Sequence, residues 1–175
     1  SKCVLKTDPD ERVGVFCTVN GNVEVVEYSD FPTEKARELD SEGTLQYGGG
    51  SIAIHLFSVS FLQRVADDLQ WHKASKIVPY IDLKSGKEID PDIPNAYKFE
   101  KFVFDVLPLA TNSIVVETKR EDEFAPIKNV SGQDSPETSQ ILQQNRAKRW
   151  LTSNGVEVSP QATVEVSPLS AGCAE

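Results

Sequence analysis

Hydrophobic and polar positions along the first part of the chain predict strands followed by a helix. Residues 13–19 and 23–28 are rich in β-branched and aromatic side chains and are separated by Asn20-Gly21-Asn22, which predicts a β-hairpin with a tight turn. Apolar residues at 52–57 predict a buried strand, and residues 60–69 predict an amphipathic helix. Strands and helices therefore alternate in this part of the chain.

Residues 97–110 have a helical pattern. Their apolar side chains recur at the i, i+3, i+4, i+7 and i+8 spacing of one helical face, which predicts an amphipathic α-helix. Pro108 is expected to bend or end that helix. Phe104 lies off the apolar stripe, roughly 130° from its centre at about 100° per residue. We therefore expect Phe104 to pack on something other than the main core.

The remaining segments complete an α/β pattern. Ser135 as a cap and Pro136 at the first helical position predict a helix that ends near Leu151. Shorter predicted elements are a helix at 33–39, a glycine turn at 48–50, strands at 76–82, 113–118 and 163–166, and an exposed loop at 85–95. Because the first two strands form a hairpin and not a βαβ unit, the pattern predicts an α/β fold with a mixed sheet.

Composition and charge narrow the class of protein. The chain has 175 residues and a formal net charge of −9, which fits about one domain and disfavours binding to nucleic acid or an anionic membrane surface. Three widely spaced cysteines without a CxxC pair disfavour a disulfide framework or a zinc site and suggest reduced thiols, so we expect a cytoplasmic location. The absence of methionine and the early strand-like SKCVLK suggest a piece of a longer protein.

Two groups of residues offer candidate chemistry. Lys128, in a loop shaped by Pro126, could present its charge to a phosphate, although the acids at 121–123 favour a solvated loop on composition alone. Lys98 and Lys101 beside Phe102 and Phe104 could line a pocket for a ligand with apolar and anionic parts. The alternative for these aromatics is ordinary packing between elements, and His55 is expected to be structural. The residues by themselves predict an α/β chain with a candidate anion site.

Four stretches resemble the eukaryotic UDP-N-acetylglucosamine pyrophosphorylases. They are KTDPDERVGVFCTVNGNVEVVEYSD, SEGTLQYGGGSIAIHLFSVSFLQRV, NAYKFEKFVFDVLPLA and REDEFAPIKNVSGQDSPET, in that order. The resemblance implies part of a Rossmann-like nucleotidyltransferase domain. It also implies a uridylyltransferase of nucleotide-sugar biosynthesis that forms UDP-N-acetylglucosamine and pyrophosphate from UTP and N-acetylglucosamine 1-phosphate, with Mg²⁺.

The resemblance also implies roles for particular residues. Lys128 matches a lysine that contacts phosphate, and Lys98 matches a second lysine of the substrate site. The implied sugar-side residues are Phe102 and Phe104 lining the N-acetyl sugar pocket, Gly14 beside the sugar, Glu27 with Tyr28 contacting the substrate, and Ser51 where the family usually has a sugar-contacting Asn. The resemblance identifies no Mg²⁺ ligand in this chain.

The same resemblance divides the chain and leaves alternatives open. It assigns residues 1–151 to the sugar-binding half of the nucleotidyltransferase domain and 152–175 to the start of a C-terminal region. The family's triphosphate-binding LxGGxGTRLG loop does not occur in the sequence, so the chain alone is expected to be inactive while the full-length protein is an enzyme. The alternatives are a related enzyme with altered sugar preference, suggested by Ser51, and a non-catalytic sugar-nucleotide-binding module. No nucleic-acid or membrane partner is expected, and the sequence predicts no oligomeric state.

Overall fold

A computed structural model describes residues 1–173, which divide into two units at the Val116–Glu117 boundary. The first unit contains β1 (Lys2–Leu5), β2 (Val15–Val19), β3 (Asn22–Val26), α1 (Thr33–Ala36), β4 (Gly49–Ser51), α2 (Val59–Val65), β5 (His72–Lys76), β6 (Tyr80–Ile81), β7 (Glu88–Ile89), β8 (Ala96–Glu100) and a 3₁₀ helix (Val103–Leu109). β9 (Val116–Glu117) lies at the boundary, and the second unit contains α3 (Arg120–Glu123) and α4 (Pro136–Ser153). The domain boundary predicted after residue 151 stays a prediction, and residues 174–175 of that region lie outside the described residues.

A five-stranded sheet with the order β3-β2-β4-β1-β9 organises the first unit. β2 and β3 pair in antiparallel fashion from Val15–Val26 to Val19–Asn22, which confirms the predicted hairpin. Asn20 and Gly21 form its turn with positive φ angles of 52° and 85°, as a two-residue turn of this kind requires. Helices occur between and after the strands of the chain, and the predicted α/β class with a mixed sheet is confirmed.

The middle strand of this sheet is made of the glycine run. Gly50 pairs with Val4 of β1 on one side and with Val15 of β2 on the other. A Cβ atom at Gly50 would lie 3.0 Å from Val13 Cγ2 and 3.2 Å from the Val4 carbonyl oxygen, so the backbones can approach this closely only at glycine. The turn predicted at 48–50 is therefore wrong, because these residues enter a central strand.

The strand predicted at 52–57 is also wrong. This segment is irregular, and Ala53 has a φ of 58°, which interrupts the extended backbone directly after β4. Phe57 instead packs at the margin of an apolar cluster formed by Phe61 and Val65 of α2 with Val106. The apolar pattern of 52–57 thus reflects packing of a loop, and not a strand.

The α-helix predicted at 97–110 is replaced by a strand and a 3₁₀ helix. β8 pairs with β5 along its whole length, from His72–Glu100 to Lys76–Ala96, and this pairing satisfies its backbone. Pro108 lacks the N–H that an α-helix needs at that position. The apolar stripe is consequently divided: Phe99 and Val103 are exposed, while Val106 and Leu107 are buried.

The other three predicted helices are present in the structure, whereas the remaining predicted strands are short or absent. α1 and α2 confirm the helices predicted at 33–39 and 60–69 in shortened form, and Ser58 caps α2. α4 confirms the helix predicted from Ser135, whose side chain accepts a bond from the Thr138 N–H in a capping box. The predicted strands at 113–118 and 76–82 are reduced to the short β9 and β6, and the predicted strand at 163–166 is irregular. The loop predicted at 85–95 contains the two-residue strand β7.

We expect Gly50→Ala to destabilise the first unit by about 1–3 kcal/mol, because a methyl group there would meet a buried valine and a backbone carbonyl in the middle of the sheet. Gly49→Ala is the matched control in the same strand, since its Cβ would meet only Phe16 Cβ at 3.8 Å. Urea unfolding followed by circular dichroism measures both. Equal stability of the two variants would contradict the tight approach at Gly50.

Candidate functional site

Three of the predicted site residues meet where β2 begins and β3 ends. Gly14 is buried directly before β2, and a Cβ atom there would lie 3.4 Å from Glu27 Oε1. The same Cβ atom would lie only 2.7 Å from Val25 Cγ1, so the glycine is needed for this close approach. The Ser51 N–H donates to the Gly14 carbonyl oxygen at 2.7 Å, which links β4 to the same position. The structure therefore brings together Gly14, Glu27 and Ser51.

The two predicted aromatics lie on a neighbouring element. The 3₁₀ helix contacts β3, whose last residue directly precedes Glu27. Phe102 precedes this helix and its ring stacks on that of Phe104, with centroids 4.9 Å apart and planes 12° from parallel. Phe104 is buried, whereas Phe102 is partly exposed. The pair forms an apolar surface on the element that packs against the strand leading to Glu27.

A histidine–carboxylate pair that the sequence did not reveal lies beside these aromatics. His72 Nε2 is 2.6 Å from Asp105 Oδ2, and the imidazole centroid is 4.7 Å from that of Phe102. The two residues are 33 positions apart, with no recognisable motif spacing. No local pattern marks His72, because only the pairing of β5 with β8 brings it towards the 3₁₀ helix.

The electrostatic environment of Glu27 distinguishes it from a surface carboxylate. Partial burial raises the pKa of Glu27 above its ordinary value, and the negative charges of Asp30, Asp105 and Glu100 raise it further, while His72 opposes them. The charged form is thus incompletely compensated by the protein. Hydroxyl groups of a ligand would supply the missing donors, because a carboxylate is purely an acceptor.

Lys98 and Tyr28 are more accessible than the residues above. Lys98 Nζ lies 2.7 Å from Glu100 Oε1 in an ion pair with substantial solvent exposure. Such a pair contributes little free energy, so the ammonium group can exchange Glu100 for a phosphate at small cost. Tyr28 follows Glu27 and is half-exposed. Both residues belong to the first unit and remain predicted substrate contacts.

Lys128 belongs to the second unit, which is described by itself. Its backbone N–H and that of Asn129 both donate to the Asp134 carbonyl oxygen, at 2.6 Å and 3.0 Å, and this closes the loop before α4. Asp134 has a φ of 52°, which places the chain for the Ser135 cap. The Lys128 side chain is exposed. Its predicted phosphate contact stays a prediction.

Neither a cluster of three potential metal ligands nor a membrane-spanning helix occurs among the described residues. Nowhere between residues 1 and 173 do three His, Cys, Asp or Glu side chains group closely enough to hold a metal ion. Over the same range, no helix has the length and apolar character needed to span a membrane.

The comparisons with known proteins agree on one enzyme family. Residues 1–169 match the family described as UTP--glucose-1-phosphate uridylyltransferase. The chain is 38% identical to the UDP-N-acetylhexosamine pyrophosphorylase-like protein 1 of Mus musculus, over 97% of this chain. It is 36% identical to the UDP-N-acetylglucosamine pyrophosphorylase of Saccharomyces cerevisiae, over 95% of this chain.

A solved structure supports the same relationship. It is a crystal structure from Entamoeba histolytica described as a UDP-N-acetylglucosamine pyrophosphorylase, with a TM-score of 0.81 and 33% identity. The alignment covers 95% of this chain and 42% of that one. The chain likewise spans 38% of the length of the mouse relative and 37% of the yeast relative. The structural similarity to the Entamoeba protein confirms the nucleotidyltransferase-like fold expected from the resemblance.

We expect Glu27→Gln to stabilise the first unit at pH 7, with a gain that disappears as the pH falls towards 4.5. Because the pKa of Glu27 is raised on folding, the folded state binds this proton more tightly, and stability is lost as pH rises from about 4.5 through the raised value. The neutral glutamine avoids that loss. Thermal unfolding of both proteins between pH 4 and pH 8 measures the effect. A difference in Tm that does not change with pH would contradict the raised pKa.

Proposed function

Because the chain belongs to the UTP--glucose-1-phosphate uridylyltransferase family, we propose that it is the sugar-binding part of an enzyme of nucleotide-sugar biosynthesis. That enzyme forms UDP-N-acetylglucosamine and pyrophosphate from UTP and N-acetylglucosamine 1-phosphate. The names of the yeast and Entamoeba relatives support this choice of sugar. The observation that carries the proposal is the half-buried Glu27 carboxylate beside Gly14, next to an element with stacked aromatic rings.

The first unit has the chemistry that an N-acetyl sugar requires. The Glu27 carboxylate accepts hydrogen bonds from sugar hydroxyls, and those bonds compensate its poorly solvated charge. The Phe102–Phe104 stack offers an apolar face to the N-acetyl methyl group and the C–H face of the ring. Gly14 has no side chain, so the sugar can approach the backbone closely. Tyr28 and Ser51 add hydroxyl groups at the rim of this region.

The transfer step itself depends on positioning and charge. An oxygen of N-acetylglucosamine 1-phosphate attacks the α-phosphorus of UTP, the bond to the pyrophosphate leaving group breaks, and no protein nucleophile is needed. Positive charges stabilise the phosphoryl oxygens in such a reaction. Lys98 and Lys128 are the proposed phosphate contacts of this chain, Lys98 after release from its exposed ion pair with Glu100.

The proposal also includes Mg²⁺ as a cofactor and the cytoplasm as the location of the protein. Mg²⁺ accompanies the substrates, and in phosphate chemistry this ion takes much of its coordination from phosphate oxygens and water. No residue of the chain is assigned to it. We also place the complete protein in the cytoplasm, on the basis of the reduced cysteines inferred from the sequence.

We expect the chain to bind N-acetylglucosamine 1-phosphate and Glu27→Gln to weaken that binding about tenfold, the magnitude of one hydrogen bond to a charged group. Isothermal titration calorimetry at pH 7 measures both affinities. The variant separates affinity from folding, because Glu27→Gln is expected to stabilise the unit while it loses the carboxylate acceptor.

Glu24→Gln is the matched control for this measurement. It removes the same charge from β3 at a position paired with Cys17, and we expect its affinity to equal that of the unsubstituted chain. Absence of binding by the unsubstituted chain, or unchanged affinity in Glu27→Gln, would contradict the proposed sugar site.

A second candidate function is uridylyl transfer with a different sugar preference. Ser51 is the observation that favours it, because serine provides a shorter side chain and no amide donor where the resemblance implies asparagine. The Ser51 hydroxyl also accepts a long bond of 3.4 Å from the Ala53 N–H, so it is partly used within its own loop. An N-acetyl group would then gain less from this position than from an asparagine.

Comparison of three sugar phosphates separates the two candidates. If the first candidate is correct, the chain binds N-acetylglucosamine 1-phosphate more tightly than N-acetylgalactosamine 1-phosphate or glucose 1-phosphate. Ser51→Asn is then expected to increase the ratio of the affinities for N-acetylglucosamine 1-phosphate and glucose 1-phosphate by about tenfold. Calorimetry with the three ligands measures this, with Ser51→Thr as the control that retains a hydroxyl. Equal affinity for glucose 1-phosphate would favour the second candidate.

A further inference from the structure

His72 is contacted from two sides by the element that carries the aromatics. It is the first residue of β5 and pairs across the sheet with Glu100, after which the chain turns into the 3₁₀ helix. That helix brings Asp105 to the imidazole Nε2 and Phe102 to the ring face. Neither contact is used by the sugar site as described above.

Asp105 and Phe102 are themselves tied together. The Asp105 N–H donates to the Phe102 carbonyl oxygen at 3.1 Å, which closes the first turn of the 3₁₀ helix. The imidazole therefore contacts both ends of one turn, bonding the carboxylate at one end and packing on the ring at the other. Rotation of Phe102 away from Phe104 would break the packing against His72.

The Asp105 carboxylate is more shielded than the carboxylates of the Arg37–Asp10 and Lys98–Glu100 pairs, while the His72 side chain is 38% exposed. The Asp105 side chain is 17% exposed, whereas that of Asp10, paired with Arg37, is 67% exposed. Exposed pairs contribute little, but a shielded charge that is hydrogen-bonded holds its partner in one geometry. This difference marks His72 and Asp105 as a fixed part of the site's surroundings.

The pair also acts on Glu27 through charge. The imidazole opposes, and the Asp105 carboxylate reinforces, the negative surroundings that Asp30 and Glu100 create at Glu27. The orientation of one ring thus influences both the aromatic surface and the acceptor of the proposed sugar site.

We propose that His72 and Asp105 are a positioning pair that holds the Phe102 ring stacked on Phe104 and thereby shapes the sugar pocket beside Glu27. The pair itself follows from contacts within the first unit. Its consequence for a ligand rests on the proposed function, namely recognition of an N-acetylhexosamine phosphate.

The first experiment measures the aromatic stack without ligand. When the chain is labelled with ¹³C-phenylalanine, NMR measures the ring-current contributions to the chemical shifts of Phe102 and Phe104. We expect Asp105→Ala and His72→Gln to move the Phe102 ring signals towards unstacked values, since one loses the acceptor and the other the ring. Asp105→Asn keeps an acceptor for His72 and should retain the shifts. Arg37→Ala, which breaks the exposed pair with Asp10, is the matched control.

The second experiment measures binding of N-acetylglucosamine 1-phosphate by calorimetry. We expect Asp105→Ala to lower affinity about tenfold and Asp105→Asn to recover it to within about threefold. This rescue distinguishes positioning from a general loss of structure. Because His72 is partly exposed, His72→Gln decides the question if thermal unfolding shows that Asp105→Ala does not fold.

Unchanged Phe102 shifts in both His72→Gln and folded Asp105→Ala would overturn the proposal. So would shifted rings together with unchanged affinity, because the pair would then not shape a sugar pocket. If the unsubstituted chain binds no sugar phosphate, the proposed function fails, while the ring shifts still decide whether the pair positions Phe102.

Discussion

The close backbone approach at Gly50 is the constraint on which the first unit depends. β1 and β2 both pair with this residue, and a side chain there would meet Val13 and the Val4 carbonyl oxygen. The next residue, Ser51, donates its N–H to Gly14, which fixes the start of β2. The hairpin from β2 to β3 then carries the chain back to Glu27. The position of the candidate acceptor thus follows from a strand that has almost no side chains.

Binding and stability are opposed at Glu27. Partial burial among other carboxylates disfavours its charged form, so the folded protein holds a charge that it compensates only in part. A sugar with several hydroxyl groups compensates the same charge, which makes the unfavourable environment useful to the proposed function. His72 opposes the effect of those carboxylates on the pKa of Glu27, and its contact with Asp105 links the acceptor to the aromatic stack.

Phosphate handling must work against the overall charge of the chain. A net charge of −9 repels phosphates on average, so binding depends on cations in particular places. Lys98 forms an exposed ion pair with Glu100, and an exposed pair exchanges partners easily. In the proposed site, partly buried groups therefore bind the sugar and exposed lysines bind the phosphates.

Elements with local signals were predictable from the sequence alone. The Asn20-Gly21 hairpin and the Ser135-capped helix follow from residues that act on their own neighbouring backbone. The family resemblance also predicted sugar-side roles for Glu27 and Phe102, and these roles stay predictions. Only the tertiary structure decided that the glycine run is a central strand and that β8 is not helical. It also decided that His72 meets Asp105. Each of these depends on a partner strand or side chain distant along the chain, and no local periodicity encodes which partner that is.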